Sequence, residues 1–111
     1  MIVLEFPIKF GKYCREFKEK IAEAESMIKR SKVHRYLRDY SFEVERMLLL
    51  DRMRISLKRD NGHCGWKYFY CKKDITIINL AEKMLQIILT EEGACTSDYQ
   101  KVFKTFRKTA K

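Results

Sequence analysis

Between residues 2 and 10 the apolar side chains Ile2, Leu4, Phe6, Ile8 and Phe10 occupy every second position, the period of a half-buried β-strand. Pro7 has no amide proton to give to a ladder, so this strand is predicted at a sheet edge. After Gly11 the period changes: Tyr13, Phe17, Ile21, Ala24 and Ile28 recur every three or four residues and predict a helix over about residues 12–30. Its other faces interleave Lys12, Arg15, Lys18 and Lys20 with Glu16, Glu19, Glu23 and Glu25, a solvated surface whose charges pair locally.

Val33, Leu37, Tyr40, Val44, Met47, Leu48 and Ile55 fit a second helical stripe and predict a helix over about 33–53. Phe42, Leu49, Leu50 and Met53 gather on its opposite face, which makes that face a candidate homodimer interface. Residues 55–73 read as a β-hairpin reversing at Asp60-Asn61-Gly62, with Gly65 lengthening the loop. Ile77, Leu80, Ala81, Met84, Leu85, Ile87, Ile88 and Leu89 then cover more than half of a helix, the core helix, with Asn79 and Glu82 as its capping box and Gly93 as its stop. Ser97 and Gln100 repeat the box at the head of a final helix. The expected fold is α+β and mostly helical, about four helices with a small antiparallel sheet in the order β-α-α-β-β-α-α, as one domain over residues 1–111.

Composition adds bounds. A chain of 111 residues that is 46% hydrophobic can bury one core, and four glycines with one proline leave no room for a long linker. The longest apolar run, 75–89, is broken by Asn79, Glu82, Lys83 and Gln86 and falls short of the roughly 18 residues a membrane span requires, so no membrane partner is expected. The first residues lack the basic start and small-residue cleavage site of a secretory signal. An intracellular setting, cytoplasmic or nuclear, is therefore expected, with Cys14, Cys64, Cys71 and Cys95 as free thiols.

The net charge of +9 is unevenly spread. Residues 57–73 carry five cations against Asp60 and residues 97–111 five against Asp98, a contribution of +4 each, around a net-negative apolar stretch. Two such blocks predict one basic face on a packed core. On the last helix Tyr99, Val102, Phe103, Phe106 and Ala110 take one side, while Lys101, Lys104, Lys108 and Lys111 line the other, a row able to follow a phosphate backbone. The hairpin adds Lys58, Arg59 and Lys67, with Trp66 and Tyr68 as a candidate stacking pair among aromatics that mostly pack. Arg35 and Arg38 extend the surface beside His34, although Asp39 stands at ion-pair spacing from Arg35. Asp51, on the apolar stripe, is expected as a buried partner of an arginine.

Catalytic motifs are absent: there is no G-x-S-x-G, phosphate loop, H-E-x-x-H or dinucleotide fingerprint. His63 and Cys64 are neighbours on a strand and point to opposite faces, which disfavours a thiol nucleophile and its base. His63, Cys64 and Cys71, even with Cys14 or Cys95, lack the paired ligand spacing of structural zinc. The expectation is a small non-enzymatic nucleic-acid-binding protein without metal or cofactor, with double-stranded RNA or DNA favoured. The phosphate contacts would come from Lys58, Arg59, Lys67, Lys101, Lys104, Lys108, Arg35 and Arg38. The alternative is an interaction module or inhibitor that grips an acidic protein with the same surface.

Overall fold

The computed structural model describes residues 8–9, 11–59 and 62–109, and of 62–66 and 96 the backbone alone. Gly11, at φ 113°, turns the chain into α1 (Lys12–Lys29), whose buried stripe is Cys14, Phe17, Ile21, Ala24 and Ile28. A 3-10 turn (His34–Leu37) leads into three strands, β1 (Tyr40–Met47), β2 (Arg52–Arg59) and β3 (Gly62–Cys71). Two helices follow, α2 (Ile77–Glu91) and α3 (Thr96–Thr109). The strands form an antiparallel sheet in the order β1-β2-β3. The order is thus α, 3-10, β, β, β, α, α, with three helices among the described residues. The expected four helices in the order β-α-α-β-β-α-α do not form.

The main correction lies in the predicted second helix. Tyr40, Phe42 and Val44 alternate with Ser41, Glu43 and Glu45, so the segment also satisfies a period of two, and pairing with β2 selects that period. What read as apolar residues on two faces of a helix are spread over the 3-10 turn, β1, the reversal after it and β2. The pair Met47↔Arg52 closes a four-residue reversal, in which Asp51 takes a left-handed φ of 47° that aspartate tolerates better than most side chains. The candidate dimer face is dispersed accordingly: Met53 is fully buried, Phe42 is half-buried against the core, and Leu49 and Leu50 stand exposed in the turn. Asp51 is exposed and pairs with Lys73 at 3.3 Å, not with a buried arginine.

The second hairpin turns where the sequence indicates. Arg59 pairs with Gly62 around Asp60 and Asn61, which lie outside the described residues. The extra length attributed to the loop sits inside the strand instead. Ser56 faces Tyr68 while Lys58 faces His63, so the register breaks near Gly65, as glycines in strands often signal. Of the predicted N-terminal strand, residues 2–7 and 10 lie outside the described residues. Ile8 does form an antiparallel bridge with Arg46, with hydrogen bonds of 2.9 and 2.7 Å.

Both long helices cover one side of the sheet, α1 against β1 and α2 against β3, in contact with each other. Leu80, Ala81, Met84, Leu85 and Ile88 are wholly buried, which makes α2 the centre of the core. Its cap is Thr76, whose hydroxyl accepts from the Asn79 amide at 3.3 Å, three residues before the predicted capping box. Gly93, at φ 71°, ends α2, and Ala94 donates back to the Leu89 carbonyl at 3.0 Å. That reversal folds α3 onto α2 through the buried Val102 and Phe106. No helix among the described residues is long and apolar enough to cross a membrane.

Candidate nucleic-acid interface

Because Val102 and Phe106 hold α3 to the core, the opposite side of that helix faces solvent by geometry. Lys101, Lys104 and Lys108 stand there, exposed, and make no ion pair or side-chain hydrogen bond among the described residues. Arg107, on the flank of the row, is committed elsewhere. Its guanidinium donates to both oxygens of Glu82 on α2, Nε to Oε1 at 2.5 Å and Nη2 to Oε2 at 3.1 Å, and this fork raises its pKa further. Lys111 lies outside the described residues.

The segment between α1 and β1 meets this row. Lys32 donates its amide to the Thr109 hydroxyl at 3.3 Å, and Lys32, Arg35 and Lys101 line a recess of about 480 Å³ together with Glu92 and Asp98. Arg35 donates to its neighbour Tyr36 at 3.0 Å and lies 4.9 Å from that ring. The hydrogen bond to Tyr36, and to a lesser degree the charge of Glu92, hold its pKa above the usual range. No ion pair joins Arg35 to Asp39 among the described residues, since the helix that would have brought them together is a 3-10 turn ending at Leu37. Arg38 is exposed. Lys32 is not among the contacts expected from sequence, because a turn and a short 3-10 segment leave no periodic trace.

The hairpin cations behave differently. Lys58 reaches Glu43 at 2.6 Å across the β1-β2 pair, and Lys67 reaches Glu91 of α2 at 3.4 Å. Arg59 donates to the Tyr40 hydroxyl at 2.9 Å and lies 5.4 Å from its ring. On the sheet side away from the helices, Arg54 bonds Glu45 at 3.0 Å and sits 5.6 Å from the Tyr68 ring. Tyr68 is 48% exposed and meets Tyr70 edge-on at 5.4 Å, so one of its ring faces is already shared with Arg54. The side chain of Trp66 lies outside the described residues. Lys58, Lys67 and Arg54 on the sheet are thus matched within the fold, whereas Lys101, Lys104 and Lys108 on α3 are not.

The described cysteines differ in access to solvent. Cys14 is buried and donates to the Ile8 carbonyl at 3.1 Å, and Cys95 is exposed. Burial pushes the Cys71 thiol up to about 11, opposed only in part by Lys83 and Lys20. In native protein at pH 8, Ellman's reagent is expected to modify Cys95 readily and Cys71 only after denaturant is added, with cysteine-to-serine variants assigning the signals; rapid native modification of Cys71 would contradict this placement. His63 and Cys64 of the weighed zinc combination have undescribed side chains, and no group of three or more metal-ligating side chains occurs among the described residues. Comparison of the chain with protein-family models, curated proteins and solved structures finds no match.

Proposed function

We propose that this protein binds nucleic acid without catalysis, laying α3 along a phosphate backbone with Lys101, Lys104 and Lys108 as principal contacts and Lys32 and Arg35 beside them. The observation that carries the reading is the unmatched lysine row on the helix side opposite Val102 and Phe106. The row spans about 10 Å at the helical rise per residue. That is roughly three phosphate steps along one strand of a duplex. A rigid row of fixed spacing suits a regular duplex of RNA or DNA better than a flexible single strand. Lys58 and Lys67 contribute less, because a phosphate would have to displace Glu43 or Glu91.

The test is a titration against double- and single-stranded RNA and DNA over a range of salt. Changing Lys101, Lys104 and Lys108 to Gln removes three phosphate contacts. The slope of log K against log salt is expected to fall by about 2.7, with duplex affinity falling most at low salt. Lys58→Gln and Lys67→Gln are expected to change the slope by well under one unit each. A slope untouched by the triple change would overturn the proposal. Binding to an acidic protein that persists at high salt, with no duplex binding, would replace it.

A further inference from the structure

The turn between β1 and β2 is chemically unlike the rest of the surface. Leu48, Leu49 and Leu50 are consecutive there and 51, 64 and 50% exposed. Tight reversals draw on Gly, Asn, Asp and Ser for their geometry, and in this turn Asp51 alone supplies the left-handed conformation. The Leu48 carbonyl accepts from the Asp51 amide at 3.2 Å, but turn geometry does not call for three leucine side chains, and water opposes their exposure. Cations surround them. Arg46 and Lys73 lie 4.2 and 4.7 Å from the ring of Tyr13, itself 46% exposed, and Lys73 reaches Asp51 at 3.3 Å. Arg52 follows the turn directly and shares a recess of about 480 Å³ with Lys72.

We propose that this tip docks peripherally on an anionic lipid surface, with the three leucines entering the boundary between headgroups and acyl chains, the exposed Arg52 and Lys72 meeting headgroup phosphates and carboxylates, and the half-buried Arg46 and the Asp51-paired Lys73 adding to the local positive field. Charge complementarity selects this occupant. A symmetric contact with a second copy would set Arg46, Arg52 and Lys73 against their own counterparts, and a nucleic acid offers no apolar layer deep enough for three adjacent leucines. Contact with one leaflet needs no spanning segment, and Tyr13 suits the interface, where a ring can stay apolar on its body and wet at its hydroxyl. The inference is independent of the lysine row on α3.

The experiment is flotation of the full chain with vesicles of phosphatidylcholine alone or mixed in equal parts with phosphatidylserine. Binding is expected on the mixed vesicles and to be about tenfold weaker on phosphatidylcholine alone. Changing Leu48, Leu49 and Leu50 to Ser is expected to weaken binding to mixed vesicles about tenfold or more, with the thermal midpoint preserved because all three are exposed. The Lys101, Lys104 and Lys108 to Gln variant is expected to keep the leucine-dependent part. Vesicle binding that ignores the leucine changes would overturn the proposal and assign adhesion to surface charge alone. Equal binding to both compositions would also overturn it, as would a dimer in light scattering that the leucine changes dissolve.

Discussion

Phe106→Ala is expected to cost about 4 kcal/mol of stability and to abolish duplex binding at the same time, since one side chain both fills the core and holds the proposed binding helix in place. Phe106 is wholly buried, and α3 attaches to α2 through it, Val102 and the partly buried Tyr99 and Phe103. Other ties are weak by comparison. The Arg107–Glu82 fork is tight, but Arg107 is 62% exposed, so its loss through Arg107→Ala should cost far less than the loss of Phe106. Urea unfolding followed by circular dichroism separates the two, and amide exchange reports whether α3 opens first. If Phe106→Ala shifted the midpoint no more than Arg107→Ala, the helix would be anchored by something other than its apolar stripe.

Glu45→Ala is the second large effect, expected at about 3 kcal/mol although Glu45 lies on the sheet side away from the helices. Its side chain is almost fully buried and that of Arg54 three-quarters so, with the two joined at 3.0 Å. Burial works against the Arg54 charge, and the hydrogen bond and charge of Glu45, helped by Tyr70, more than restore it. The Arg54 Nε is already buried without a partner among the described residues. Removing Glu45 would therefore strand a desolvated guanidinium whose remaining partners are aromatic. The coupling can be read from a double-mutant cycle in which Arg54→Met is made alone and with Glu45→Ala. Replacing both should cost distinctly less than Glu45→Ala alone. Strictly additive costs would mean that the pair is held apart by water and does not act as a unit.

The sequence was most readable where a single period was available to each segment. Phe17, Ile21, Ala24 and Ile28 leave no reading for α1 other than a helix, and Leu80 to Leu89 leave none for α2. Residues 40–47 satisfy both periods, and their interspersed Glu43, Glu45 and Arg46 imitate the charged face of a helix. The decision between the two was made by pairing with β2, a contact that no local window contains. The same division governs the candidate surface. The lysine row was legible because it depends on helical spacing alone. The neutralisation of Lys58 by Glu43 and of Lys67 by Glu91 was not, because each carboxylate arrives from another element. The recess shared by Lys32, Arg35 and Lys101 required the 3-10 turn and α3 to meet, which neither segment signals.

No strand lies beyond β3 among the described residues, so its outer backbone groups offer a template to any other extended chain. The register break divides that hazard. Opposite β2 the strand is paired only over Tyr68 to Cys71 and again at Gly62 and His63, with the irregular residues between. Stacked cross-β ribbons need a flat segment of about six residues, longer than either piece, and the irregularity twists the strand where it would otherwise be continuous. The interruption that complicates the hairpin therefore also protects the folded chain from fibrillar growth at high concentration.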